Sequence, residues 1–279
     1  MKLLEKKSFN IVLLGAGANG SHFLRNLLQD LANYNGAFPT RILIADGDKV
    51  EGKNIKNQLF DHNDVNDYKV HALSERYGQH YNIDILAVNE YITSLEQIDS
   101  LFGENDYFPV LIGCLDNNRT RQLLHEYFSV KDTLLYIDVG VEGVILKEEM
   151  EKNALYSQLE KHQISKIIEG SGFSGQVVTG LKFKGHEVLA PVGTLYPNIL
   201  TDEDSVFPTQ ACALTLNNPQ RLETNKMAAQ MVNIVMNNLF HTGELWQHEI
   251  QFNARYANTI VANISHEQEN YFKEILLSK

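Results

Sequence analysis

The sequence predicts an α/β chain built on a doubly wound, mostly parallel sheet that antiparallel hairpins extend toward the C-terminus. Residues 9–14 (FNIVLL), 41–46 (RILIAD), 109–116 (PVLIGCLD) and 133–140 (TLLYIDVG) are continuous apolar runs. Strands buried on both faces need such runs, whereas half-exposed strands alternate. Helix-period segments separate the runs. A glycine-rich turn joins the first run to the first helix. Strand, turn, helix and strand in that order make the opening unit of a doubly wound sheet.

Each element follows from local pattern. After the turn, Phe23, Leu24, Leu27, Leu28 and Leu31 recur at helical spacing. Residues 68–80 repeat that spacing, and 84–92 (DILAVNEYI) read as a further strand. A helix is expected near 118–129. The charged segment 147–170 reads as helical and sits where a compact sheet does not need it, so 141–172 is expected to be a helical insertion. It divides 1–140 from 173–279 within one domain. Residues 175–192 and 246–264 alternate, as antiparallel hairpins do, and a long helix is expected near 223–240.

Composition narrows the function. Apolar residues make up 43 % of the 279, enough for a sizeable core, and the formal net charge is −11. A general nucleic-acid binder needs clustered Lys and Arg, so nucleic acid is not an expected partner. Cys114 and Cys212 are the two cysteines; they make neither a disulfide framework nor a four-thiolate zinc site, and no structural zinc is expected. No stretch approaches the roughly 20 apolar residues that span a bilayer. A cytoplasmic chain without membrane association is the expectation.

GAGANG (15–20) fits G-x-G-x-x-G directly after a strand and at the head of a helix. Gly15, Gly17, Asn19 and Gly20 thus form a turn whose backbone can approach an anion at the helix N-terminus. Asp46 ends the second strand, where a carboxylate accepts from ribose hydroxyls in a Rossmann-like site. NAD, FAD, SAM and ATP sites all begin this way.

The residues after Asp46 are more discriminating. Asp46, Asp48, Asn54, Lys56, Asn57, Gln58 and Lys69 form a dense polar series around Val50, Ile55, Leu59 and Phe60. A dehydrogenase usually carries no fixed polar signature there. This stretch resembles the ThiF/MoeB/HesA family, relatives of ubiquitin-activating E1 enzymes. That family reads D-x-D-x-V-x-x-x-N-x-x-R-Q-x-[LF], then a lysine at a helix start, then D-N-x-x-x-R after a strand. The matches are Asp46, Asp48, Val50, Asn54, Gln58 and Phe60, then Lys69, then Asp116, Asn117 and Arg121. Downstream of Pro208 the arrangement is most similar to ThiF-family proteins of bacterial PRTRC systems.

The resemblance implies an ATP-dependent adenylyltransferase that activates the C-terminal carboxylate of a ubiquitin-like or sulfur-carrier protein, in a homodimer. It makes the chain one adenylation domain, with 1–140 the nucleotide-binding part and 173–279 the carrier-binding and dimer-forming part. The loop glycines would hold ATP, Asp46 the ribose, and Asn54 and Gln58 the phosphate side. Lys69 would neutralise triphosphate charge, Asp116 would bind Mg²⁺, and Asp48, Lys56, Asn117 and Arg121 would complete the nucleotide contacts. Cys212 lies where relatives carry a thiol that accepts the activated carboxyl, and a buried, inert thiol fits the sequence there equally. Two departures bear on turnover. Asn57 replaces the family's arginine, with Lys56 as the neighbouring cation, and MKLLEKK lacks the family's N-terminal arginine segment. An amide cannot carry the arginine's charge. A degenerate nucleotide-binding or scaffolding relative therefore stands as an alternative, and the glycine loop with Asp46 leaves a NAD-dependent oxidoreductase as a second.

Overall fold

The computed structural model describes residues 1–3, 8–34, 39–147, 150, 156, 159–208 and 220–278. Cys212 lies outside the described residues, as does much of 147–160.

The chain opens with β1 (Phe9–Leu14), α1 (Ala18–Asn33) and β2 (Thr40–Ala45). Two 3₁₀ turns, Gly52–Lys56 and His62–Asp64, lead to α2 (Lys69–Tyr81), β3 (Leu86–Val88) and α3 (Leu95–Phe102). Then come β4 (Phe108–Gly113), α4 (Asn118–Val130), β5 (Leu134–Val141), α5 (Lys161–Gly170), β6 (Ser174–Phe183) and β7 (His186–Leu189). The short helix α6 (Val192–Leu195), α7 (Leu222–Thr242), β8 (Gln247–Asn253), β9 (Asn258–Asn263) and α8 (His266–Leu277) complete it.

One sheet runs in the order β3-β2-β1-β4-β5-β6-β8-β9, with β7 paired to β6. β1 to β5 pair in parallel, and β5 to β9 pair antiparallel. This is the doubly wound sheet with antiparallel extension that the sequence predicts.

Pleat decides which face each side chain joins. Along β1, Phe9, Ile11 and Leu13 join α1, α2 and α7 in one apolar cluster. Val12 and Leu14 join α3 and α4 in the other. Both clusters are closed to water, and every β1 residue is buried. Each fully buried Leu or Ile contributes about 1.5–3 kcal/mol by leaving water.

One expectation is corrected in extent: the strand expected over 84–92 is only Leu86–Val88, and Tyr91 beyond it packs against Gly47. Within the helical segment expected over 147–170, Lys147 and Met150 are helical, Lys161–Gly170 forms α5 with none of its residues buried, and most of 148–158 lies outside the described residues. Arg221 donates to the Ser171 carbonyl at 2.8 Å and Arg255 to that of Glu169 at 3.2 Å, tethering the C-terminal end of α5.

Candidate nucleotide-binding site

The sheet order places β1 between β2 and β4. The chain therefore leaves β1 toward one edge and returns on its other side, which makes the carboxyl ends of these strands the topological switch point. Ligands of doubly wound sheets bind at that switch point.

The glycines around it do different work. Gly15 has φ +97°, and a Cβ there would sit 2.3 Å from the Cys114 carbonyl oxygen. A Cβ on Gly20 would lie 1.9 Å from the carbonyl oxygen of Gly15. These two are glycines because the turn is tight. Gly17 differs: a Cβ there would meet nothing within 4 Å. It is the N-cap of α1, no side chain caps that helix, and its first turn holds no acid. The leading N–H groups of a sixteen-residue helix are thus left without a side-chain cap, with their partial positive charge.

Asp46 stands beside this turn. Its Oδ2 accepts from the Ala16 amide at 2.6 Å and its Oδ1 from the Asp48 amide at 2.8 Å. Burial pushes its carboxyl above the ordinary range, against the opposing charge of Lys69 and the two backbone donors. Asp48 binds Lys69 Nζ through Oδ2 at 2.7 Å and the Tyr91 hydroxyl through Oδ1. Burial raises the Asp48 carboxyl too, but Lys69's charge and the two hydrogen bonds outweigh it and hold it low. Lys69 is buried at the head of α2, its side chain 7 % exposed, whereas the Asp48 side chain is 45 % exposed.

Asn54 is buried and its Oδ1 accepts from the Glu51 amide at 2.7 Å, fixing the 3₁₀ turn. Lys56 is exposed. Gln58 is drawn toward α1 because the next amide, Leu59, donates to Ser21 Oγ at 3.3 Å. Gln58 Oε1 and Asn19 Oδ1 are buried without a hydrogen-bond partner. Two orphaned buried acceptors flanking an uncapped helix N-terminus form a polar lining that a bound ligand or ordered water can satisfy.

Asp116 lies beyond the end of β4 and is exposed. Asn117, expected to contact nucleotide, spends its Oδ1 on the Thr120 amide at 2.8 Å, capping α4. Arg121 is buried beneath the site, not open to it: its Nε donates to Asp138 Oδ2 at 3.1 Å and Nη2 to Asp138 Oδ1. Tyr136 donates to the same carboxylate at 3.0 Å. Cys114 is buried, and burial with the nearby Asp138 charge pushes its thiol up, so it belongs to the core. Among the described residues, no cluster of three or more His, Cys, Asp or Glu side chains forms a metal site. A lone Asp116 fits Mg²⁺ held mostly by phosphate oxygens, the usual way that ion is bound. Tyr91 and Asp138 carried no sequence signal, since a tyrosine past a short strand and an acid inside an apolar run are each ordinary.

The family model for the ThiF family matches residues 2–187. The chain belongs to the ThiF family. Its fold is shared with two solved proteins of low identity. PaaA aligns at 13 % identity and a TM-score of 0.57 over 91 % of this chain and 64 % of its own. Escherichia coli MccB solved with ATP aligns at 14 % and 0.56, over 95 % and 65 %. MccB solved with AMPCPP and MccA aligns at 13 % and 0.59, over 92 % and 64 %. The chain thus spans just under two thirds of the length of these proteins. No curated protein sequence matches it. Among the described residues, no helix is long and apolar enough to cross a membrane.

Proposed function

We propose that the chain is an E1-like adenylyltransferase that uses ATP and Mg²⁺ to activate the C-terminal carboxylate of a ubiquitin-like or sulfur-carrier protein. The observation that carries the reading is the set of polar groups at the switch point, where the uncapped α1 N-terminus, Asp46, the Asp48–Lys69 pair and Asp116 follow the carboxyl ends of β1, β2 and β4. The MccB structures with ATP and with MccA support a nucleotide and a peptide tail as the two substrates.

In this reading the uncapped N–H groups at Gly17 and the first turn of α1 meet phosphate oxygens, while Gly15, whose amide donates to the Ala45 carbonyl at 3.0 Å, and Gly20 shape the turn. Asp46 accepts from the ribose hydroxyls. Lys69 swings from Asp48 to the triphosphate, and Asn19 and Gln58 complete the polar wall. Mg²⁺ on Asp116 would spread charge from the phosphates as pyrophosphate leaves. The acyl nucleophile comes from the partner, so catalysis is positioning and charge stabilisation. Asn117 and Arg121 act on the site by holding α4 and the loop that carries Asp116. Cys212 would take the acyl group in a second step, and a homodimer is the proposed assembly.

A second reading rests on Asn57 and the exposed Lys56: the chain binds nucleotide without turning it over. ATP–pyrophosphate exchange in the presence of a carrier protein separates the two. Exchange supports the adenylyltransferase; tight ATP binding without exchange, for every carrier tried, supports the binding module.

A further inference from the structure

Asp48 has two partners that compete for nothing: Lys69 takes Oδ2 and the Tyr91 hydroxyl takes Oδ1. Tyr91 reaches it from the loop after β3, with its ring laid against Gly47. A Cβ on Gly47 would lie 2.6–2.7 Å from three ring carbons, so the glycine is what lets the ring sit there. The tyrosine is half-buried, and its hydroxyl is held neutral by burial and by the Asp48 and Asp46 charges, so it stays a donor across the neutral range.

We propose that Tyr91 is a positioning residue that retains Asp48 while Lys69 leaves it for the nucleotide's phosphates. This rests on the nucleotide reading above. A lysine buried at 7 % exposure has one strong partner in the empty protein, and moving it to a phosphate strips that partner of its counter-charge. A half-buried carboxylate left with no donor would resist the exchange. The tyrosine hydroxyl keeps one oxygen satisfied throughout, so the carboxylate stays ionised and fixed while Lys69 moves to the phosphates. Because Asp48's backbone amide also holds Asp46 Oδ1 at 2.8 Å, a fixed Asp48 keeps the ribose-side carboxylate in register as well.

Tyr91→Phe keeps the ring on Gly47 and removes only the donor. In the nucleotide-free protein Lys69 still holds Asp48, so thermal stability changes little. With nucleotide bound the hydroxyl is the remaining donor, so ATP affinity by calorimetry falls about tenfold, the scale of one hydrogen bond to a charged group. In an Asp48→Asn background, where there is no charge to retain, Tyr91→Phe has a much smaller effect on affinity. In the nucleotide-free protein, carbon-13 titration of the Asp48 carboxyl shows its pKa rising in Tyr91→Phe. Wild type and Tyr91→Phe binding ATP equally, or Tyr91→Phe losing the same affinity with and without the Asp48 charge, overturns the retention role and leaves the nucleotide site standing. Failure of the wild type itself to bind ATP removes both.

Discussion

Gly17 and Gly20 differ by three positions in one turn, yet their replacement by alanine should give opposite results. At Gly20 an added methyl meets the Gly15 carbonyl oxygen at 1.9 Å and its carbon at 2.9 Å. A carbon cannot approach an oxygen closer than about 3 Å without displacing backbone, so the turn must open or α1 must shift. Overpacking of that kind costs about 1–3 kcal/mol, and domains of 150–250 residues lose roughly 2–4 °C of Tm per kcal/mol. At Gly17 the methyl enters open space, and its backbone, φ −74° and ψ −150°, is extended with a negative φ. The folded state tolerates it, and the unfolded chain loses freedom, worth up to about 1 kcal/mol in stability. That open space is where phosphate oxygens would meet the N–H groups. Gly17→Ala should therefore melt at or above wild type while its ATP affinity falls at least about tenfold, one hydrogen bond to a charged group. Gly20→Ala should melt several degrees lower. Differential scanning calorimetry and isothermal titration with ATP and Mg²⁺ measure both quantities. A Gly17→Ala protein that folds and binds ATP like wild type would show that the phosphates do not lie against this turn.

Further outcomes follow from the buried charges. Arg121→Ala strands the Asp138 carboxylate, fully buried, and should cost about 3–5 kcal/mol in urea unfolding. Arg121→Met with Asp138→Leu should recover most of that, and a loss under 1 kcal/mol for the single variant would contradict the pairing. Lys69→Met removes a half-exposed ion pair, costing about 1 kcal/mol, but should abolish measurable ATP binding at millimolar nucleotide. Asp48's carboxyl lies below its unfolded value, so its contribution is present above that value and lost as pH falls through the lower folded one. Lys69→Met should therefore flatten the acid limb of the stability profile. Asp46's carboxyl is raised, mainly by burial; its ionised form is the ribose acceptor, so ATP affinity should weaken on acidification at a pH above the usual carboxylate range. A midpoint below pH 4 would contradict that.

Much of the fold could be read from the sequence because parallel strands buried on both faces leave continuous apolar runs. FNIVLL and TLLYIDVG became β1 and β5 within a residue or two. α3 and α8 went unread although both begin with a capping box, Ser94 with Gln97 and Ser265 with Gln268. Their apolar faces are short and interrupted, so the starting signal was the stronger one. The site was legible where chemistry follows chain order: the glycine turn, the acid ending β2, the lysine opening α2. It was not legible where tertiary packing decides. Nothing in NEYI tells that Tyr91 crosses to Asp48, nothing in YIDVG that Asp138 is the carboxylate under Arg121. Asn54 and Asn117 sit in the positions expected, yet their side-chain oxygens serve backbone amides. A pattern fixes where a polar residue lies and not which donor it meets.

The central claim is that this switch-point site brings a triphosphate and a peptide carboxylate together. Incubation with ATP labelled at the α-phosphate, Mg²⁺ and ubiquitin-like or sulfur-carrier proteins tests it most directly. The account predicts label on a carrier's C-terminal carboxylate as AMP, with pyrophosphate released, and loss of both in Asp116→Ala. Label that forms undiminished in Asp116→Ala, or wild-type protein that neither binds ATP nor labels any carrier, would contradict it.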